Sequence, residues 1–365
     1  MDKICLVYGG DSVESDISIL TALKVQKELD KFSYPYMMVY LDHDGNFYTG
    51  NGLLYKENYK DLLGFKKGNF FKKKDEFFFK TRLKKEKFDI VLLLCHGYHS
   101  EDGTLGGFFD TLKIPCIYPG LIQSALLQDK ISFKRIMDSL NINQTKYEVL
   151  TESDFTNLVE KETSITNLSF PLVVKPSHLG SSIGVKKVFN EKDLIEALFD
   201  GFRYDRDMIL EEAILNLKEI NVAIFNYKNE LKVSSLERVN NEEKILSFID
   251  KYDNYSLSDS HIIPADIDNR VGKKIVYIAK KVYQELGLKS VVRFDFLYDE
   301  VTKKIYLNEV NAIPGSLSYY LFENQDIKMV DLVDMMVEEF KLEYVKSKKK
   351  ISSYNEGFLT NLKAK

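Results

Sequence analysis

Ser290-Val-Val-Arg293-Phe-Asp295-Phe and Leu307-Asn-Glu309-Val-Asn311-Ala-Ile-Pro-Gly315 are the two stretches that decide the fold of this 365-residue chain. Both read as strands, because apolar and polar residues alternate along them. Residues two apart on a strand point to the same side, so Arg293 and Asp295 share one face, and Glu309 and Asn311 share one face of the next strand.

A turn at residues 299–304 would join the two strands into a hairpin. If the hairpin is symmetric about Thr302, Asp295 lies opposite Glu309 and Arg293 lies opposite Asn311. Three oxygen-bearing side chains then lie beside one guanidinium, and such a set suits Mg²⁺, which prefers a few carboxylates together with substrate phosphates. The alternative is a solvated hairpin with cross-strand ion pairs, which the surrounding apolar residues and the Pro-Gly break disfavour.

Length and composition indicate a globular protein of more than one unit. The chain exceeds what one hydrophobic core usually serves, and 44% hydrophobic with 29% charged residues is an ordinary globular composition. A net charge of −4 argues against a nucleic-acid partner. No window is apolar enough to span a bilayer and the N-terminus lacks a signal-peptide pattern, so we expect a cytoplasmic protein with no membrane partner.

The cysteines and lysines give weaker signals. Cys5, Cys95 and Cys116 lie in or beside apolar runs without metal-ligand spacing, which predicts buried free thiols. The lysine-rich stretches at 66–87 and 346–350 are expected to be solvated surface, although a local contact with an anion stays open.

The order of apolar patterns predicts three units and a tail. Strand-like and helix-like segments alternate over residues 1–120, which is typical of an α/β unit. A helical pattern and four short strands follow over 121–212. Over 213–345 we expect a strand at 220–225 paired with one at 231–236, then a helix and the hairpin. The remaining residues, 346–365, read as a polar tail.

The stretch Pro171-Leu-Val-Val-Lys175-Pro-Ser-His-Leu-Gly180-Ser181-Ser182-Ile-Gly184 predicts a phosphate-binding loop. A lysine ends a buried strand, and backbone N–H groups and hydroxyls of the following loop can hold phosphate oxygens. It is not a Walker loop, because the lysine precedes the glycines. A plain turn between strands remains the alternative for this segment taken alone.

Five blocks of sequence together resemble the D-alanine–D-alanine ligase family of the ATP-grasp superfamily, over roughly residues 4–340. The blocks are Tyr8-Gly9-Gly10-Asp-Ser-Val-Glu14-Ser-Asp-Ile-Ser18, His96-Gly97 with Glu101-Asp102-Gly103, Asp129-Lys130, the loop from Lys175 to Gly184, and the hairpin from Arg293 to Gly315.

The resemblance implies an α/β ATP-grasp fold with three α/β or α+β subdomains and ATP held between the central and C-terminal ones. It implies a reaction in which the carboxylate of a first D-amino acid attacks the ATP γ-phosphate, and the amine of a second captures the acyl phosphate. The expected activity is joining of two D-alanines for peptidoglycan synthesis. The cofactors would be ATP and Mg²⁺, with Mn²⁺ as a substitute, the partners would be small amino acids, and the assembly a homodimer.

The resemblance also implies residue roles. Glu14 would hold the first ammonium, in a hydrogen-bonded set with Ser181 and Tyr255. The ATP-binding residues would be Lys130 and Lys175 at the phosphates, Glu211 and Ile214 at the adenine hinge, and Glu219 at the ribose. The metal ligands would be Asp295, Glu309 and Asn311, the oxyanion stabilisers Arg293 and the Gly315 N–H, and the further substrate-site residues His96, Tyr320 and Leu321.

Two departures from the family pattern affect these expectations. Asn254 stands where the family has a lysine before the tyrosine, and Lys251 is the available substitute. Tyr320 stands where the family has a serine that meets the second substrate's carboxylate. The sequence therefore leaves open another acceptor, such as D-serine or a hydroxy acid, and a catalytically silent nucleotide-binding protein. His96 can also be a structural loop histidine.

Overall fold

The computed structural model describes residues 1–239 and 261–348. The strands of these residues form three sheets, with eight, four and six strands. The sheets lie within residues 4–117, 147–212 and 217–311, inside the three predicted units, whose boundaries themselves stay a prediction. Among the described residues, no helix has the length and apolar character needed to cross a membrane.

The first sheet is built on four parallel strands. They are β1 (Ile4–Gly9), β2 (Tyr36–Leu41), β7 (Ile90–Leu93) and β8 (Cys116–Ile117), flanked by helices α1 (Ser15–Lys31) and α2 (Thr104–Thr111). Every residue of β1 is buried, as expected for a strand covered on both faces. The three cysteines are buried free thiols, as predicted.

An antiparallel extension interrupts the predicted alternation between β2 and β7. It consists of β3 (Phe47–Thr49), β4 (Lys66–Lys73), β5 (Glu76–Thr81) and β6 (Lys85–Phe88). The lysines of this stretch are mostly exposed, but Phe70 and Phe79 are buried against the core. The expectation of a plain solvated stretch was therefore incomplete, because the phenylalanines that lie between the lysines give one face of the extension an apolar surface.

The second sheet is antiparallel and carries the predicted glycine loop between two of its strands. Its strands are β9 (Tyr147–Thr151), β10 (Leu172–Pro176), β11 (Lys186–Val188) and β12 (Asp207–Glu212). The helices of this unit are α3 (Leu121–Gln128), α4 (Lys130–Ser139), α5 (Glu152–Glu160) and α6 (Glu191–Gly201). Asp129 caps α4, because its side chain accepts a hydrogen bond from the Ile131 N–H.

The third sheet contains the predicted hairpin. Its strands are β13 (Leu217–Tyr227), β14 (Glu230–Val233), β15 (Glu237–Val239), β16 (His261–Ile262), β17 (Val292–Asp299) and β18 (Ile305–Asn311), with helices α7 (Asn269–Glu285) and α8 (Met329–Lys348). The single strand expected at 231–236 is two strands that pair with opposite ends of β13. Ser234 lies at the break and exchanges hydrogen bonds with Ala223 instead of continuing the strand.

Shared cores join parts of the three units. Helix α8 packs Leu332, Val333 and Met336 into the same core as Ile4 and Leu6 of β1. A second core joins Phe133 of α4 and other residues of the central unit to the inner face of β13 and β17. Short 3₁₀ segments complete the described chain, at Asn51–Leu54, Lys56–Tyr59, Gly315–Leu321 and Glu323–Gln325.

Candidate active site

The hairpin has the register that the sequence predicts. Arg293 lies opposite Asn311, and Asp295 lies opposite Glu309. The Asp295 carboxylate accepts hydrogen bonds from the Arg293 Nε at 2.7 Å and Nη2 at 2.8 Å, and from the Asn311 Nδ2 at 2.9 Å. The four side chains therefore form one polar cluster on a single face of the sheet.

The predicted symmetry ends at a β-bulge beyond Asp295. The next pair is Phe296 with Leu307, so Asn308 is an extra residue on β18. The Asn308 Oδ1 accepts a hydrogen bond from the Lys175 Nζ at 2.9 Å. The bulge thus connects the hairpin to the lysine at the end of β10 in the central sheet.

The charges of this cluster suit a divalent cation. Burial raises the pKa of Asp295, and the facing Glu309 adds to that rise, while Arg293 opposes it. Burial disfavours the charged Arg293 guanidinium, but Asp295 outweighs it and raises the arginine pKa. Two carboxylates placed directly opposite each other destabilise a sheet, and a bound Mg²⁺ would relieve this repulsion.

Three lysines lie at or beside the predicted phosphate-binding loop. The Lys175 Nζ forms an ion pair with Glu211 at 3.0 Å, and Lys134, from α4, forms a second one with the same carboxylate at 2.9 Å. The Lys130 Nζ donates to the Leu179 carbonyl within the loop. Burial by itself would raise the pKa of Glu211, but Lys175 and Lys134 outweigh it and lower that pKa to about 2.

Hydrogen bonds also fix the start of the loop. Asp129 accepts from the Ser177 hydroxyl at 2.9 Å, and Asp205 accepts from the His178 backbone N–H at 2.7 Å. The His178 ring lies 3.0 Å from the same Asp205 carboxylate, and this hydrogen bond raises the histidine pKa. These contacts hold Ser177 and His178 at the start of the loop.

The Glu14 carboxylate lies between two glycine-bearing loops. The Ser181 hydroxyl donates to the Glu14 carboxylate, which joins the N-terminal unit to the glycine loop. A Cβ on Gly97 would lie 2.8 Å from this carboxylate, and one on Gly180 would lie 2.9 Å from it. The third member of the predicted set, Tyr255, lies outside the described residues, as do Asn254 and Lys251.

His96 and Glu101 lie behind this carboxylate. The His96 Nε2 is 3.2 Å from the Thr21 hydroxyl, and burial, with a smaller effect of Arg293, lowers the histidine pKa to about 4. Glu101 accepts from the Ile313 N–H at 3.0 Å, and burial next to Glu14 raises its pKa to about 7. The His96 imidazole is therefore neutral at pH 7, and the Glu101 carboxyl next to Glu14 is easily protonated.

The segment after Pro314 closes the site on the side of the N-terminal unit. Its residues 316–318 have positive φ angles between 48° and 56°, which turn the chain sharply after Gly315. The Tyr320 hydroxyl donates to Glu237 at 3.2 Å. Leu321 is fully buried in the core shared with β1, so its contact with a substrate stays a prediction.

Comparison with known proteins assigns this geometry to a family. Residues 3–119 match the family model "D-ala D-ala ligase N-terminus", and residues 136–338 match "D-ala D-ala ligase C-terminus". The chain belongs to the D-alanine–D-alanine ligase family. It is 36% identical over 360 residues to a D-alanine–D-alanine ligase of Thermosipho melanesiensis, which covers 96% of this chain and 97% of the relative.

Solved structures of the family share the fold. The D-alanine–D-alanine ligase of Helicobacter pylori is 27% identical, with a TM-score of 0.74, covering 92% of this chain and 98% of that one. The VanG D-Ala:D-Ser ligase of Enterococcus faecalis is 25% identical, with a TM-score of 0.76, covering 93% and 99%. The mixed α/β architecture described above is therefore the ATP-grasp fold of this family.

The residues predicted to bind the nucleoside lie at the edge of the cluster. Glu219 is on β13 and shares its sheet face with Asp295, because its neighbour on that face, Asn221, pairs directly with Asp295. Ile214 is half-buried in the connection between β12 and β13. The Glu211 side chain is taken up by two lysines, so a contribution to the adenine hinge would have to come from its backbone.

Four residues of the site carry no strong sequence signal. Asn308 becomes prominent only through the bulge. Lys134 becomes prominent only through its ion pair with Glu211 on β12, a strand of the same unit that is distant in sequence. Glu101 lies in a quoted family block but had no predicted role, although its spacing from His96 was a usable signal. Glu237 had no signal at all, because only the pairing of β13 with β15 brings it to the site.

Proposed function

We propose that the chain is an ATP-dependent ligase that joins two D-amino acids, most simply two D-alanines, to a dipeptide with release of ADP and phosphate. The observation that supports this best is the joint placement of Arg293, Asp295, Glu309 and Asn311 on one sheet face, with Lys175 hydrogen-bonded to the adjoining Asn308. Phosphoryl transfer needs mainly positioning and cations directed at developing charge, which this cluster provides.

In the first step, a carboxylate oxygen of the first D-amino acid attacks the γ-phosphorus of ATP, and the bond to the ADP oxygen breaks. Lys130 and Lys175 balance phosphate charge, while Glu14, held by Ser181, pairs with the ammonium of this amino acid. In the second step, the neutral amine of the second amino acid attacks the acyl carbonyl and loses a proton to solvent, and phosphate leaves with one oxygen of the original carboxylate. Arg293 and the Gly315 N–H stabilise the oxyanion between attack and departure.

Asp295, Glu309 and Asn311 would hold Mg²⁺, or Mn²⁺ in its place. The two facing carboxylates and the amide oxygen are hard ligands of the type that these ions prefer, and the ion would neutralise phosphate charge during transfer. The nucleoside contacts of Glu211, Ile214 and Glu219, and the substrate contacts of His96, Tyr320 and Leu321, belong to this same proposal.

The second substrate is the part of the reaction with an open alternative. Tyr320 stands where the family places a small hydroxyl residue, and its phenol donates a hydrogen bond to Glu237. A different acceptor, such as D-serine, is therefore the second candidate. The proposal also includes a homodimer that acts in the cytoplasm, where the dipeptide serves the synthesis of peptidoglycan precursors.

An ADP-release assay with analysis of the dipeptide tests this function. The purified chain is incubated with ATP and Mg²⁺ and with D-alanine, D-serine, D-lactate or L-alanine, and the products are identified by mass spectrometry. We expect ADP and dipeptide in equal amounts with D-amino acids, and neither with L-alanine. ATP binding without ADP release under any of these conditions would instead indicate the silent nucleotide-binding protein.

A further inference from the structure

Glu237 lies in a row of polar side chains that crosses the third sheet and ends at the proposed metal ligands. It pairs with Asn221, Asn221 pairs with Asp295, and Asp295 pairs with Glu309. Directly paired residues of antiparallel strands project to the same face, so Glu237 faces the same side as the reaction centre. Glu237 has no exposed surface.

Three donors surround the Glu237 carboxylate. Its Oε2 accepts from the Asn221 Nδ2 at 2.9 Å and from the Tyr320 hydroxyl at 3.2 Å, and its Oε1 lies 2.8 Å from the His261 Nδ1. A buried carboxylate is costly unless it is hydrogen-bonded, so this arrangement holds the partners firmly in place. The carboxylate is thus an anchor for Tyr320, at the place where the family has serine.

The anchor determines what the phenol can recognise. A tyrosine hydroxyl has one hydrogen, and here it is donated to Glu237. Toward any further partner the oxygen can act only as an acceptor, so it suits an N–H or O–H group and not a carboxylate. The family's serine hydroxyl can turn either way, whereas this phenol is fixed by Glu237 of strand β15.

We propose that Glu237 is a positioning residue that fixes the Tyr320 hydroxyl as a hydrogen-bond acceptor in the site of the second amino acid. The group recognised is a donor of that substrate, either its ammonium or the hydroxyl of a side chain such as that of D-serine. This inference rests on the proposed ligase function.

Kinetics of Tyr320→Phe, Glu237→Gln and the double variant test this role, with Tyr319→Phe as the matched control. The neighbouring Tyr319 ring lies beside Lys24, with the ammonium 5.3 Å from the ring centroid, and the proposal gives its hydroxyl no role. Initial rates of ADP release over a range of D-alanine concentrations give separate KM values for the first and second amino acid, and ATP is varied in a second series.

Each single variant should raise the second KM about three- to tenfold, the loss expected for one hydrogen bond. The KM values for ATP and for the first amino acid should stay within about twofold. The double variant should resemble Tyr320→Phe alone, because Glu237 acts through Tyr320. The control should match the wild type, and melting temperatures measured in parallel show whether each variant is folded.

The acceptor panel separates the two possible donors. If the phenol accepts from the ammonium, Tyr320→Phe lowers kcat/KM for D-alanine and D-serine by the same factor. If it accepts from a side-chain hydroxyl, D-serine loses more than D-alanine. An unchanged second KM in Tyr320→Phe, or additive effects in the double variant, would overturn the inference while the ligase function stands. A wild-type protein that ligates no D-amino acid would overturn both.

Discussion

Replacing Glu211 by glutamine should destabilise the central unit by about 3 kcal/mol at neutral pH. The carboxylate is 2% exposed and binds Lys134 at 2.9 Å and Lys175 at 3.0 Å. Its pKa of about 2 in the folded chain, against an ordinary value of 4.5, corresponds to about 3 kcal/mol at roughly 1.4 kcal/mol for each pH unit. The removal of one partner from a buried ion pair typically costs about 3 to 5 kcal/mol, in agreement with this figure.

The neighbouring Glu212 provides a matched control. It pairs with Lys146 at 3.4 Å, and the two side chains are 26% and 75% exposed. Such a pair contributes at most about 1 kcal/mol, so Glu212→Gln should have little effect. The same chemical change at two adjacent positions of β12 therefore separates the buried ion-pair network from any general effect of the strand.

Thermal unfolding followed by circular dichroism measures both variants, since the chain has no tryptophan to report fluorescence. The folded-state pKa of Glu211 is lowered, so its contribution is fully present above about pH 4.5 and is lost as the pH falls toward about 2. The difference in melting temperature between the wild type and Glu211→Gln should become smaller over that pH interval. Equal melting temperatures for Glu211→Gln and Glu212→Gln at pH 7, or a gap that stays constant down to pH 3, would refute the reasoning.

Three further predictions concern the reaction centre. Asp295→Asn or Glu309→Gln should lower kcat at least about 100-fold, because each removes a charge that offsets phosphate charge; near-normal ADP release at saturating Mg²⁺ would rule out the metal assignment. Glu14→Ala should weaken use of the first amino acid by about 2 to 4 kcal/mol with ATP binding kept, so unchanged kinetics at limiting D-alanine would contradict its role. Gly97→Ala should impair the same step, because at a φ of +79° its Cβ would clash with the Ser12 hydroxyl and lie 2.8 Å from the Glu14 carboxylate. Gly45→Ala, at a φ of +77° with no atom within 4 Å of its Cβ, should leave the kinetics unchanged and serves as the control.

The parts of the site that local sequence predicted are those that depend on short-range geometry. Arg293 and Asp295 share a face because they are two residues apart, and their partners follow from a short turn. Lys175 could also be recognised from local sequence, because it ends an apolar strand and the glycine loop follows it directly. Family likeness then supplied roles that no spacing rule contains, such as that of Glu14.

The rest depends on pairings between distant segments. Glu237 reaches the site only because β15 pairs with β13, and the expected single strand at 231–236 would have hidden it. Glu211 was expected at the adenine hinge, yet helix α4 buries its side chain in an ion pair with Lys134. Tertiary contacts of this kind override local patterns, and a single sequence does not show which distant segments pair with each other.

Transfer of ¹⁸O tests the central claim most directly. D-Alanine labelled with ¹⁸O in its carboxylate is incubated with the chain, ATP and Mg²⁺, and the released phosphate is analysed by mass spectrometry. If the carboxylate attacks the γ-phosphorus and the acyl phosphate is then captured by an amine, each phosphate carries one labelled oxygen, in step with dipeptide formation. Phosphate without label, released whether or not D-alanine is present, would contradict the account.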